Sequence, residues 1–194
     1  YPIDPDIPDL GQWLRRENYD CVYTGKWHVS GRELHESFEV LQPEHGMGEI
    51  NDGNVARSAV AYLQNRTDDQ PFFLNVGFLN PHDCCFPALP DGGPGKYAFA
   101  PAIESDLPPL PDNFNDAYAE NGQPAIRDWS RRDWQYYIYQ YHRMVEMVDA
   151  EIGRVMDALR ASPYAENTLV IFASDHGDGA GFPAKVSKGF LEEE

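Results

Sequence analysis

The stretch Pro71-Phe72-Phe73-Leu74-Asn75-Val76-Gly77-Phe78-Leu79-Asn80-Pro81-His82-Asp83 decides the fold class. Residues 71–79 form an apolar run of strand length, carried by Phe72, Phe73, Leu74, Val76 and Phe78. Such a run, without polar alternation, fits a strand covered on both faces. It gives way abruptly to an amide, a proline, an imidazole and a carboxylate.

Upstream, Asn54 to Asn65 reads as a helix carrying Val55, Val60 and Leu63. Before it, Cys21-Val22-Tyr23-Thr24 reads as a short strand ending at Gly25, and Asp9 to Asn18 as a short helix with Leu10, Trp13 and Leu14 at helical spacing. Downstream, residues 86–128 are rich in Pro, Gly, Asp and Asn. A loop of that length in a compact domain is functional or an insertion. Ser130 is placed to cap a long helix, in which Ile138, Tyr141, Val145, Val148, Ile152, Val155 and Leu159 recur on one face until Ser162-Pro163. Thr168 to Ala173 reads as a second apolar strand, running into Ser174-Asp175-His176-Gly177-Asp178-Gly179. Helices alternating with apolar strands predict an α/β fold, with a mainly parallel sheet covered on both faces and Val76 and Ile171 on central strands.

In such sheets, ligands collect at the carboxyl ends of the strands. Three polar clusters sit at predicted strand ends: Gly25-Lys26-Trp27-His28, Asn80-Pro81-His82-Asp83 and Asp175-His176-Gly177-Asp178. Lys26 offers a point charge for an oxyanion, and His28 a proton shuttle or hydrogen bond. His82 is placed to protonate a leaving group. Asp175 and His176 side by side suit a divalent cation, with glycines letting the backbone turn beside them. Taken singly, each has an ordinary explanation: a surface Lys-x-His, a satisfied loop His, a glycine-rich turn. The weight comes from their common placement.

Composition narrows the field. The 194 residues carry a formal net charge of −17, which excludes nucleic acid as an expected partner, because phosphate binding needs clustered Lys and Arg. No run of about 18 apolar residues exists to span a membrane. Cys21, Cys84 and Cys85 leave the redox compartment open: adjacent cysteines rarely bridge each other, and a bridge from Cys21 is not deducible. Trp27, Trp129 and Trp134 offer sugar-stacking faces, but weigh toward core packing.

All three clusters in this order resemble the sulfatase family. Tyr23-Thr24-Gly25-Lys26-Trp27-His28 is similar to its second signature, Pro81-His82 to its substrate-contacting pair, and Asn167-Thr168-Leu169-Val170-Ile171-Phe172-Ala173-Ser174-Asp175-His176-Gly177-Asp178 to its metal-binding strand end. The resemblance runs from about Ile7 to Glu194 and is weak across 86–128. It implies the alkaline-phosphatase-like sandwich, with 1–194 part of a sulfatase catalytic domain truncated at both ends. It further implies a sulfuric ester hydrolase acting on a sulfated small molecule or glycan. Lys26 and His28 would contact the sulfate and the nucleophile, and His82 would contact the sulfate or protonate the leaving oxygen. Asp175 and His176 would hold Ca²⁺, and Lys188 (rather than Lys185) would grip the sulfate. Secreted or periplasmic location is a family expectation.

Departures from the family pattern accompany the match. Sulfatases convert the Cys or Ser of C/S-x-P/A-x-R to formylglycine, and no such signature is present. Cys85-Phe86-Pro87-Ala88-Leu89 imitates it but ends on Leu89 and follows the Lys26 cluster, so it reads as a decoy. Glu192 replaces an aromatic, and Phe182-Pro183 stands where many relatives have His. The expectation is an internal stretch of an enzyme, inactive by itself. The competing readings are a phosphodiesterase or phosphonate hydrolase of the same superfamily, or a non-catalytic metal- or carbohydrate-binding module.

Overall fold

The computed structural model describes residues 4, 6–85, 101–112, 114 and 129–177. These contain three strands, β1 (Asp20–Gly25), β2 (Glu39–Pro43) and β3 (Phe72–Gly77). The helices are α1 (Leu10–Arg16), α2 (Gly48–Asn65), α3 (Pro101–Ser105) and α4 (Arg131–Arg160). The strands form one parallel sheet in the order β2-β1-β3. β1 and β3 pair without a break from Asp20 opposite Phe72 to Gly25 opposite Gly77. The β1–β2 register slips between Tyr23 and Thr24.

The chain divides into two compact units, residues 1–80 with 147–169, and 81–146 with 170–194. In the first, successive β1 side chains alternate between faces. Cys21 and Tyr23 are buried with Phe38, against Leu14 of α1, Trp27 and Phe73. Val22 and Thr24, wholly buried, face the other way. α2 packs on all three strands and buries Val55, Ala56, Ala59 and Leu63. Side chains as large as Val55 and Leu63 are worth about 1.5–3 kcal/mol each in such positions. The sheet is thus covered by helices on both faces, as the sequence predicts.

Arg66, just past α2, ties the open end of this unit together. Its guanidinium pairs with Asp20 at 2.6 Å and lies over the rings of Tyr62, Phe72 and Tyr164 at 5.6, 5.2 and 5.8 Å. Tyr62 donates to the same Asp20 carboxylate at 2.6 Å. Burial first, and then Asp20, push the Tyr62 hydroxyl pKa far up.

In the second unit Trp134, Tyr137, Trp129, Ile138 and Cys84 form a buried cluster. Ser130 and Asp133 close the amino end of α4 reciprocally: Ser130 N–H donates to Asp133 Oδ2 at 2.7 Å, and Asp133 N–H to Ser130 Oγ at 3.3 Å. This is the cap expected at Ser130. Arg132 pairs with Glu104 of α3, and that hydrogen bond holds the Glu104 carboxyl below its usual range.

Some expectations are corrected. Residues 168–173 pair with no strand among the described residues, and Leu169, Ile171 and Phe172 are 85%, 79% and 82% exposed. Ile171 is therefore not on a central strand. Apolar composition gives a segment the preference for burial, but a strand also needs a neighbour's hydrogen bonds, and among the described residues 168–173 have no such neighbour. Val76 is on β3, at one side of that sheet. The α4 face is only partly buried, since Val145 is 40% exposed at the passage between the two units. α2 begins at Gly48, ahead of the expected Asn54. The segment 86–128 lies mostly outside the described residues, apart from α3 and the stretch that follows it. Cys21 and Cys84 are buried, Cys21 as a free thiol whose pKa burial pushes up.

Candidate active site

Lys26 and His28 follow β1 directly. Gly25 turns the chain there with φ +101°, and a Cβ at Gly25 would fall on the carbonyl oxygen of Gly77. Only glycine satisfies both the positive φ and the close approach. Lys26 N–H donates to that Gly77 oxygen at 2.8 Å, and the Tyr23 hydroxyl donates to the Lys26 carbonyl. The Trp27 ring stands edge-on to Tyr23, 5.4 Å between centroids, and its indole N–H donates to the Arg32 carbonyl at 2.9 Å. Lys26 is half-buried and His28 exposed.

A buried ionic junction supports the far side of this loop. Arg32, 7% exposed, donates to Asp9 at 3.0 Å and to the carbonyls of Ile7 and Asp4 at 2.6 and 3.3 Å. Asp9 also caps α1 by accepting from Gln12 N–H at 2.9 Å, and it receives the Ser37 hydroxyl. Burial alone would raise the Asp9 pKa. The Ser37, Gln12 and Arg32 bonds outweigh it, so the carboxyl lies below its usual range.

His82 opens the 3-10 turn His82–Cys85 after β3 and is half-buried. The chain reaches it through Leu79 and Asn80, both buried. Their backbone N–H groups donate to the Asp52 carboxylate of α2 at 2.7 and 3.0 Å. Gly48 packs so closely on Asn80 that a Cβ would lie 2.7 Å from the amide carbon.

Asp175 and His176 are exposed, with Asp175 Oδ2 3.6 Å from His176 Nε2. His176 Nδ1 lies 2.7 Å from the Gly177 carbonyl. A carbonyl only accepts, so Nδ1 is the donor in that contact. Two basic donors side by side fit a cation in kind. Their number falls short: Ca²⁺ takes about six to eight oxygen ligands, and among the described residues no group of three or more His, Cys, Asp or Glu could hold a metal.

The structure thus brings Lys26 and His28 onto one buttressed loop, and sets Asp175 against His176. These two pairs belong to different units, with His82 in the unit of the second pair. Lys188 and Phe182-Pro183 lie outside the described residues. Trp129 and Trp134 are core residues, 6% and 1% exposed, with Trp134 edge-on to Trp129 at 4.9 Å, and neither offers a free stacking face. The supporting residues Tyr23, Arg32 and Asp52 were not singled out by sequence reasoning. Asp9 alone had a legible signal, the Asp-x-x-Gln spacing of a capping box.

The Sulfatase family model matches residues 2–190. The chain belongs to the sulfatase family. This sulfatase-family chain is 28% identical over 207 residues to a Delta 4,5-hexuronate-2-O-sulfatase of Bacteroides thetaiotaomicron, covering 96% of this chain and 42% of that protein. A solved 2-O GAG sulfatase superposes with a TM-score of 0.79 at 25% identity, covering 98% of this chain and 44% of the other. These similarities support the alkaline-phosphatase-like fold. A phosphonate monoester hydrolase of Agrobacterium radiobacter superposes with a TM-score of 0.70 at 17% identity, a likeness of fold alone. The chain spans less than half the length of each of the two sulfatases.

Proposed function

We propose that the protein carrying this chain is a sulfuric ester hydrolase acting on a sulfated glycan or a sulfated small molecule. The observation that carries the proposal is the in-register end of β1 and β3 at Gly25 and Gly77. The Lys26 and Pro81-His82 segments thus follow the carboxyl ends of adjacent parallel strands, inside a chain that the sulfatase family matches almost throughout. The similar hexuronate sulfatase favours an acidic sugar sulfate as the substrate class.

In this reading Lys26 neutralises sulfate oxygens, a fixed positive charge aimed at the group whose bond to the ester oxygen breaks. His28 hydrogen-bonds the sulfate and the nucleophile. His82 donates the proton that the leaving oxygen needs, and Lys188 holds the sulfate. Asp175 and His176 contribute two of the ligands of a divalent cation, which when bound supplies further charge neutralisation. The remaining ligands and the formylglycine nucleophile are assigned to the protein beyond residues 1–194. Secretion or export to a periplasm accompanies the proposal. No helix among the described residues is long and apolar enough to cross a membrane.

The test is hydrolysis of an aryl sulfate, and of sulfated uronate disaccharides, by the full-length protein. Lys26→Ala and His82→Ala are each expected to cost about 10²-fold or more in turnover. Faster turnover of an aryl phosphonate or phosphodiester than of the sulfate would replace the reading with a phosphonate hydrolase or phosphodiesterase.

A further inference from the structure

We infer that Tyr23 and Trp27 are positioning residues, a two-point latch that fixes the backbone on which Lys26 and His28 are displayed. The inference rests on the sulfatase reading for its consequence in turnover, but the latch itself is a property of the loop.

The loop leaves β1 at Gly25, where positive φ and contact with Gly77 set its direction. Beyond that point a loop of this kind has little to hold it, and an exposed His28 and a flexible lysine stem would sample many positions. Both polar groups of the Lys26 peptide are instead engaged. Its N–H reaches Gly77 across the sheet, and its carbonyl receives the Tyr23 hydroxyl. Tyr23 is itself buried, 7% exposed, with its ring centroid 5.1 Å from that of Phe38. A phenylalanine would fill the same space. The hydroxyl is what reaches the loop, at Lys26, three residues beyond the sheet position that Tyr23 occupies opposite Asn75.

Trp27 makes the second point. Its ring packs edge-on against Tyr23 and Phe38, so it shares the Tyr23 cluster, while its N–H reaches forward to the Arg32 carbonyl. Arg32 is anchored in turn by Asp9 and by the carbonyls of Ile7 and Asp4. Lys26 is therefore held from the strand side and His28 from the side of the following loop. Neither Tyr23 nor Trp27 needs to touch a substrate for this to matter. A displacement of about 1 Å in a catalytic group costs up to 10²-fold in rate.

The experiment uses the full-length protein and Tyr23→Phe, which deletes one oxygen. Expected results are faster amide hydrogen exchange at residues 26–28, kcat for sulfate ester hydrolysis lowered ~10-fold with KM changed less than ~3-fold, and a smaller loss from Tyr23→Phe when it is added to Lys26→Ala than when it is made alone. Trp27→Phe, which keeps a ring and removes the indole N–H, carries the same test should the first variant not fold. Unchanged exchange at 26–28 overturns the latch. Raised exchange with unchanged kcat overturns the positioning role. Wild-type protein that turns over no sulfate ester defeats the sulfatase reading, and the exchange result still decides the latch.

Discussion

Asp52 grips Asn80 across the end of the sheet: its carboxylate accepts the Asn80 N–H at 3.0 Å and the neighbouring Leu79 N–H at 2.7 Å. All three residues are buried. The two donors lie just past β3, where the ladder has ended and would leave them unpaired. A helix residue far away in sequence thus caps the strand exit leading to His82. Asp52→Ala is expected to strip both acceptors and to lower unfolding stability by about 2–4 kcal/mol, in the lower part of the range that two stranded buried groups cost at about 1–3 kcal/mol each. Asp52→Asn keeps the shape and one acceptor and should cost less. Urea unfolding of both variants checks this, and equal, near-zero losses would refute it.

Gly25→Ala should be still more damaging. The residue has φ +101°, and the new methyl would meet the backbone oxygen of Gly77 rather than a side chain that could swing away. Left-handed strain costs on the order of 1–3 kcal/mol, and parting β1 from β3 adds the Lys26–Gly77 bond. The expected loss is about 3 kcal/mol or more, read from urea midpoints. Gly46→Ala is the comparison: it too has a positive φ, +77°, but nothing within 4 Å of the added carbon, so it should pay the strain alone.

Much of this architecture was legible in the sequence, and the failures have causes. α4 announces itself because apolar side chains recur at the helical period, and β1 and β3 because apolar residues run on for the length of a strand. β2 was missed because Glu39-Val40-Leu41-Gln42-Pro43 is short and nowhere fully buried. The first turns of α2 were missed because their buried side is made of Gly48, Asn51 and Asp52, residues that read as loop or solvated surface. The polar groups after β1 and β3 were legible as chemistry at strand ends. Tyr23, Arg32 and Asp52 were not, because a side chain bonded to distant backbone leaves no periodic trace. Residues 168–173 were misread because a strand's existence depends on its neighbour as well as on its own composition.

Asp9 gives the first unit an acid-sensitive component. Its folded carboxyl titrates below the ordinary value of 3.8, so folding favours the ionised form. The sign follows from linkage: the stabilisation is complete above the ordinary value and disappears as pH falls through the lower folded value. Protonation there weakens the Arg32 pair and the cap on α1 together. Urea midpoints measured from about pH 6 to about pH 2 should fall more steeply for the wild type than for Asp9→Asn, which is already weakened at neutral pH. Parallel curves would remove Asp9 from the account.

The exposed apolar run at 169–172 leads to the last prediction. Ile171 and Phe172 make little contribution to the stability of the 194-residue chain, because 79% and 82% of their surfaces are already in water. Ile171→Asp with Phe172→Ser should then change unfolding free energy by less than about 0.5 kcal/mol, the range of ordinary surface substitutions. The same pair should reduce self-association, since an unpaired β-prone apolar segment is a template for pairing with another copy. Light scattering against concentration reads the second effect, and urea unfolding the first. The competing possibility is the central strand that the sequence predicted, in which removing two buried side chains would cost about 3–5 kcal/mol or more. A loss of that size would return Ile171 to the core, and the segment carrying Asp175 and His176 would then follow a paired strand.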